Sequence, residues 1–352
     1  MQTFFIVVIL LLGFLIIFQI AKASEYVSVL RGEEKSRKQS NKINGFLMLV
    51  FLVLGLIGVY YCNEVLKGKI LGEPASDHGV LIDRMLYITI ALTGIVFVIT
   101  QVLLFWFAYK YQESDTRKAY YYPHNNRLEL IWTVIPAIAL TVLVGFGLFY
   151  WFKITGDAPK DSQIVEVTGK QFGWEFRYPG KDGILGKKYF KNIDPANNNP
   201  QGQLWDDKAN HDDVWMEQEM HLVVNKPVKL VINAKDVIHD VGLAHFRMKM
   251  DAVPGTPTTM WFTPKYTTKQ MAEKTGDPNF TYEISCDQMC GQGHWSMRGV
   301  IVVETQEEYD AWFATKKPQY VLANAPATPA PADTTKATTP GANALPPVKT
   351  RN

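Results

Sequence analysis

Hydrophobic and polar positions along the chain follow two regimes. Up to residue 152 the apolar residues gather into four runs, at 4–20, 46–66, 86–109 and 130–152, each about the length that crosses ~30 Å of hydrocarbon. From residue 163 the period drops to two. Gln163-Ile164-Val165-Glu166-Val167-Thr168, Glu219-Met220-His221-Leu222-Val223-Val224 and Val228-Lys229-Leu230-Val231-Ile232 alternate, and 258–263, 280–285 and 299–304 are further strand candidates. Short strands separated by Pro and Gly turns predict a β-sandwich or barrel. The pattern thus predicts a membrane α-helical N-terminal part followed by an all-β domain. Thr305-Gln306-Glu307-Glu308 is a capping box for a short helix with Tyr309, Trp312 and Phe313 on one side. Residues 180–218, rich in Asn, Asp, Gly and Lys, predict a long surface loop whose acids Asp206, Asp207, Asp212 and Asp213 form either a docking face or a solvated surface. The Ala/Pro/Thr-rich stretch 320–352 predicts disorder, because it holds too little apolar surface to offset the entropy of ordering.

Charge sets the direction of the membrane part. The first run is a signal peptide or a spanning helix: Ala21-Lys22-Ala23 has the small residues of a cleavage site, but no basic residue precedes the apolar core. Lys22, Arg31, Lys35, Arg37, Lys38 and Lys42 mark the first linker as cytoplasmic, as Lys110, Arg117, Lys118 and Arg127 mark the third. Everything after residue 152 then lies outside. Loss of residues 1–23 would leave three spans and put the later domain in the cytoplasm, so four retained helices are the expectation. Glu129 stands at the cytoplasmic edge of the fourth run, as an interfacial carboxylate or part of a proton route. Trp132 is an interfacial anchor, and Pro136 removes one helix bond.

Composition adds limits. A net charge of +2 over 352 residues is too balanced for a nucleic-acid partner. Three cysteines exclude a disulfide framework. Cys62 falls inside an apolar run, where a buried, inert thiol is expected. The other two stand in Cys286-Asp287-Gln288-Met289-Cys290-Gly291-Gln292-Gly293-His294-Trp295-Ser296-Met297, which sets two thiols, an imidazole and a thioether at offsets of four, four and three. Sulfur with imidazole suits copper, and a thioether is a poor ligand for zinc, magnesium or calcium. A zinc site of two Cys and two His, or a disulfide between Cys286 and Cys290, competes with copper. A second imidazole has to come from His211, His221, His239 or His245. His239 stands at a strand-to-loop exit, and His245 is close enough in sequence to compete.

Asp236-Val237-Ile238-His239, then Asp251-Ala252-Val253-Pro254-Gly255, then the stretch from Cys286 to Met297 resemble subunit II of the haem-copper cytochrome c oxidases. The resemblance extends to residues 129–138, to the aromatic stretch 169–178 and to the order of membrane hairpin before β-domain, covering about 86–316. It implies extra helices over 1–66, a hairpin over 86–152 and a cupredoxin-like sandwich over 160–316, with a binuclear CuA centre on the periplasmic side of a bacterial cytoplasmic membrane. By resemblance, Cys286 and Cys290 bridge the coppers, His239 and His294 each bind one, Met297 is a weak axial ligand and Gln288 offers its backbone carbonyl. His245 is left as structural, and Asp251 as an interface residue toward subunit I. Glu129 matches the family's glutamate at the cytoplasmic mouth of a proton-uptake route. The implied function is transfer of electrons from a cytochrome c or c-type cytochrome domain to haem in subunit I, among other oxidase subunits, for oxygen reduction coupled to proton translocation. The chain has no Cys-x-x-Cys-His, so the donor haem belongs to another protein. Quinol-oxidase subunit II, a copper reductase domain and a zinc-stabilised binding module are the rival classes.

The chain departs from the family in three ways. Gln288 replaces a glutamate whose side chain binds magnesium at the subunit I interface, which puts magnesium here in question. Phe172 replaces the tryptophan that receives electrons, leaving Phe172 and the nearby Trp174 as alternatives. The helices ahead of the usual hairpin have no counterpart.

Overall fold

A computed structural model describes residues 2–67 and 72–325. Four long helices come first: α1 (Gln2–Arg31), α2 (Glu33–Leu66), α3 (Asp77–Lys110) and α4 (Asn126–Thr155). Helix α1 runs unbroken through the Ala21-Lys22-Ala23 segment and ends at Gly32, whose φ of 86° is the left-handed conformation that glycine adopts without strain. Among the described residues, Glu34–Leu66, Asp77–Lys110 and Asn126–Thr155 are long and apolar enough to cross a membrane. Their apolar side chains are mostly exposed on the helix surfaces, as lipid-facing residues are. Cys62 is exposed as well, on the surface of α2, contrary to the buried thiol expected from its apolar surroundings. Helix α2 lies along α3, with the Phe51 and Phe105 rings 5.5 Å apart. Part of the basic linker charge is neutralised there, by Arg37 to Glu113 at 3.3 Å and Lys38 to Asp115.

The β-domain follows as β1 (Gln163–Lys170), β2 (Gly173–Tyr178), β3 (Val214–Glu217), β4 (Glu219–Val223), β5 (Val228–Ala234), β6 (His239–Leu243), β7 (Met248–Ala252), β8 (Thr258–Phe262), α5 (Thr268–Thr275), β9 (Tyr282–Cys286), β10 (Arg298–Glu304) and α6 (Gln306–Ala314). Two five-stranded sheets form, ordered β3-β2-β1-β5-β8 and β4-β10-β9-β6-β7. Their facing sides bury Val165, Val167, Leu222, Leu230, Ile232, Val241, Ile284 and Ile301. The alternating stretches form strands as expected. Strand β2 escapes the period-two rule because all six of its residues are buried. Its acid Glu175 is ion-paired to Lys170 at 2.8 Å and Lys235 at 2.5 Å. Helix α6 starts at the expected box: the Thr305 hydroxyl accepts from the Glu308 N–H at 3.2 Å, and Glu308 accepts from the Thr305 N–H at 3.1 Å.

The sandwich is fastened to the helices at one end. The Ser76 hydroxyl caps α3 by accepting from the Gly79 N–H at 2.8 Å and donates to the Phe246 carbonyl at 2.6 Å. The Arg247 guanidinium grips Asp83 of α3 at 2.9 and 3.1 Å, and Trp261 Nε1 donates to the Gly156 carbonyl at 2.8 Å.

Residues 177–215 and 314–325 form a second compact unit. It is built on Arg177, which donates to Asp213 at 2.8 Å, the Gly186 carbonyl at 2.9 Å and Asn210 at 3.0 Å. Three of the loop acids are engaged within this unit: Asp213 is buried, Asp212 accepts from the Asp182 N–H and Asp207 from the Lys187 N–H, while Asp206 is exposed. A helix, α7 (Gln319–Ala323), stands where the disordered tail was expected to begin. It is ordered by the Gln319 N–H donating to the Asp213 carbonyl at 2.9 Å and by Tyr320 stacking on His211 at 3.9 Å. The rest of that stretch, 326–352, lies outside the described residues.

Candidate metal centre

Strand pairing assembles the site. β6 runs antiparallel to β9 with Val241 opposite Cys286, which sets His239, the first residue of β6, beside the cysteine that ends β9. The chain then loops out and returns through a 3₁₀ turn at His294–Ser296 to β10, whose Arg298 pairs with Ser285. The Cys286 N–H donates to the Met297 carbonyl at 3.2 Å and closes the loop at its base. Gly291, at φ 134°, makes the turn. The Phe172 ring covers it so closely that a Cβ there would stand 2.9 Å from the ring. The Gln171 side chain donates to the Cys290 carbonyl at 2.5 Å and its N–H to Asp236 at 2.7 Å.

The loop brings the donor atoms together. The sulfurs of Cys286 and Cys290 lie 3.8 Å apart, far beyond the ~2.05 Å of a disulfide, and both thiols are free. His239 Nδ1 stands 3.8 Å from the Cys286 sulfur and His294 Nδ1 3.6 Å from that of Cys290. Met297 Sδ is 3.8 Å from the Cys290 sulfur, and the Gln288 carbonyl accepts from the Cys286 thiol at 3.1 Å while its side chain points to solvent. Cys286, Cys290, His239 and Met297 are buried, and His294 is half-buried.

These residues fit a metal. Metal–sulfur bonds of ~2.3 Å and metal–nitrogen bonds of ~2.0–2.1 Å at tetrahedral angles place neighbouring donors about 3.5–3.8 Å apart, and the observed spacings match. The donor atoms of His239, Cys286 and Cys290 lie within 4.8 Å of one another, and among the described residues His294 does not join that set. His239 Nε2 bonds Asp236 at 2.8 Å, which leaves Nδ1 to face the sulfurs. Burial raises the Asp236 carboxyl, but bonds from His239 and the Gln171 and Val237 N–H groups outweigh it and hold the acid below its ordinary range. Burial first, and then the neighbouring Cys286, push the Cys290 thiol up to about 11, so the thiolate form calls for a cation beside it.

Among the other residues singled out from sequence, Trp174 is fully buried, its ring edge-on to His239 with centroids 6.2 Å apart. Phe172 is 41% exposed over the loop. His245 packs on Phe280 and Tyr282 at 5.1 and 5.5 Å. His221 lies between Glu219 and Glu304 at 2.6 and 2.7 Å and stacks on Trp312, and His211 is in the second unit. Burial first, and then Asp251 opposite it on β7, push Asp240 up to about 7. Glu129 accepts from the Asn125 N–H at 3.3 Å at the start of α4. Sequence reasoning gave no role to Asp236, although its place three residues before His239 was the available signal. Gln171 and Gly169 lie in the stretch 169–178 that carries the resemblance, but neither was given a role of its own.

Together, thiols, imidazoles and a thioether at the end of a β-sandwich tied to membrane helices define a membrane-anchored metal domain. Residues 74–149 match the family model of the cytochrome c oxidase subunit II transmembrane domain, and residues 163–305 that of its periplasmic domain. The alternative cytochrome c oxidase subunit 2 of Bradyrhizobium diazoefficiens is 34% identical over 271 residues, covering 77% of this chain and 92% of the relative. Cytochrome c oxidase subunit 2 of Cereibacter sphaeroides is 26% identical, covering 69% and 79%. The crystal structure of the periplasmic domain of cytochrome oxidase subunit II of Bradyrhizobium japonicum aligns at 22% identity and TM-score 0.32, over 45% of this chain and 96% of that one. The chain belongs to the cytochrome c oxidase subunit II family. It is a subunit of a haem-copper oxidase, a membrane protein with a cupredoxin-like periplasmic domain and a His/Cys/Cys cluster suited to copper.

Proposed function

We propose that this chain carries the binuclear CuA centre of its oxidase, takes electrons there from a cytochrome c or c-type cytochrome domain, and passes them to haem in subunit I for oxygen reduction and proton translocation. The observation that carries this is the pair of free thiols 3.8 Å apart, each with its own imidazole. When bound, copper supplies a one-electron couple shared over both thiolates. Cys286, Cys290, His239 and His294 would hold the copper, with the Met297 thioether and the Gln288 carbonyl as weaker donors. The cross-braced loop, with Cys286, Cys290 and Met297 buried, keeps these donors still, so little rearranges when charge changes. Gln288 is neutral and its side chain faces solvent, so it offers no carboxylate to magnesium. Phe172 reaches the surface and suits donor contact, whereas Trp174 is fully buried. Glu129 sits at the cytoplasmic end of α4 and serves proton uptake. The topology is four spans across the bacterial cytoplasmic membrane, with the sandwich over 160–316 on the periplasmic side.

The test is metal content and the optical and paramagnetic spectra of the full chain in detergent after copper addition. Two coppers per chain sharing one unpaired electron is the expected result. A single zinc, or a colourless protein with the thiols oxidised to a disulfide, overturns the proposal.

A further inference from the structure

The two imidazoles of the site are held differently. His294 stands half-buried on a single 3₁₀ turn. His239 is 0% exposed, and besides the sulfur its ring meets three groups from three separate segments. Asp236, in the loop before β6, holds Nε2 at 2.8 Å. Trp174 of β2 stands edge-on, its ring plane at 64° to the imidazole. The third is the bare backbone of Gly169 in β1, where a Cβ would lie 2.8 Å from Cδ2 and 3.0 Å from Cγ of His239, closer than real Cβ atoms come. The imidazole is flush against the strand.

None of these three groups is free to move aside. Gly169 pairs with Ala234 of β5, and its carbonyl accepts from the Lys235 N–H at 3.0 Å. The Trp174 carbonyl accepts from the Gln218 N–H at 3.0 Å. Its indole is fully buried, yet among the described residues Nε1 has no hydrogen-bond partner. A buried indole usually finds a partner for its N–H, so packing and not hydrogen bonding orients this one. A single hydrogen bond to Nε2 sets the tautomer but leaves the ring able to swing about that contact. Flat surfaces pressed against the ring remove the swing.

We propose that Gly169 and Trp174 are positioning residues for His239, holding its ring so that Nδ1 faces the Cys286 sulfur before any metal arrives. His239, Cys286 and Cys290 then form the preformed part of the centre, and His294 completes it. This rests on the copper reading above. Trp174 acts through His239, as an internal wall beneath the surface and not as a contact for a donor. Preorganised ligands lose less freedom on binding, which appears as affinity.

The experiment uses the full chain in detergent and measures copper affinity by competition with a chelator. Gly169→Ala and Trp174→Ala are expected to weaken binding ~10–100-fold, the range seen when groups that orient metal ligands are lost. Trp174→Phe keeps an aromatic wall and removes only the unpartnered N–H, and should stay within about threefold of wild type by the same reasoning. Two further readouts isolate positioning from general stability. In the metal-free variants, ¹⁵N shifts of His239 should report a mixture of ring orientations where the wild type gives one. In the copper-loaded variants, the nitrogen hyperfine coupling of one imidazole should change while the other stays. Wild-type affinity and unchanged hyperfine couplings in both alanine variants overturn the inference, as does an equal loss in Trp174→Phe and Trp174→Ala. If Gly169→Ala does not fold, the Trp174 pair decides alone. A wild-type chain that takes up no copper sinks the reading of the preceding subsection instead.

Discussion

Replacing Asp83 by alanine should loosen the fastening between helix α3 and the copper-site sandwich. The Arg247 guanidinium donates from Nε to Oδ1 of Asp83 at 2.9 Å and from Nη2 to Oδ2 at 3.1 Å, and also reaches the Ala244 carbonyl at 2.8 Å and the Gly72 carbonyl at 2.5 Å. The side chains are 11% and 9% exposed. Two charge-assisted hydrogen bonds at ~1.5–3 kcal/mol each suggest a loss of about 3–6 kcal/mol. Removing one partner of a buried ion pair typically costs ~3–5 kcal/mol, because the remaining charge is left buried and unpaired. The slight exposure lets water relieve part of this, so ~3 kcal/mol is the expected value. At ~1.4 kcal/mol per tenfold, local opening should rise roughly 100-fold or more. Hydrogen exchange reports it through the amides that cross the junction, Ala75 N–H to the His245 carbonyl at 2.8 Å and Asp77 N–H to the Thr263 carbonyl at 3.2 Å. Asp83→Leu combined with Arg247→Met removes both charges and should return exchange to within about tenfold of wild type. Exchange in Asp83→Ala within threefold of wild type, or a double variant no better than the single, would refute the reasoning.

Met297→Leu should retain both coppers and shift the reduction potential, since an axial thioether tunes a site built by its thiolates and imidazoles; potentiometry and metal analysis decide, and complete copper loss contradicts the axial role. Glu129→Gln in the assembled oxidase should slow proton uptake with the copper spectra intact, and unchanged turnover would remove Glu129 from the route. Burial, and then the charge of Arg247, hold His245 below the ordinary histidine range, with Glu283 opposing weakly and the Phe280 and Tyr282 rings against it. The unfolded chain therefore binds more protons, and stability should fall as pH drops below about 6.5, by at most ~1.4 kcal/mol per unit. His245→Phe should flatten that slope in melting curves taken between about pH 7.5 and 5.5, and a slope unchanged by the substitution counts against it.

The elements that announced themselves were those whose burial is one-sided or total over a long run. The four apolar runs became helices, and the alternating stretches at 163–168, 219–224 and 228–232 became strands, because one face meets the core and the other does not. Strands β2 and β6 were silent for the opposite reason: every residue in each is buried, polar ones included. Glu175, Arg177 and Asp240 look like surface residues in the sequence, yet the first two are inside because partners distant in the chain neutralise them.

The stretch from Cys286 to Met297 carries its chemistry in its composition: thiols, an imidazole and a thioether at short offsets name a soft-metal site wherever the chain folds. Which second imidazole serves it was not a local property. Four histidines competed, and the choice of His239 was made by the pairing of β6 with β9, which carries it to the Cys286 sulfur while His245 is drawn into an aromatic pocket and His221 between two carboxylates. The groups around His239 are further still from local reading. Gly169, Trp174 and Asp236 are ordinary residues in three segments, and only the packing of one sheet on the other brings them to a single ring. Ligand chemistry is intrinsic to side chains and so is written in the sequence; orientation depends on long-range contacts, which exist only once the chain has folded.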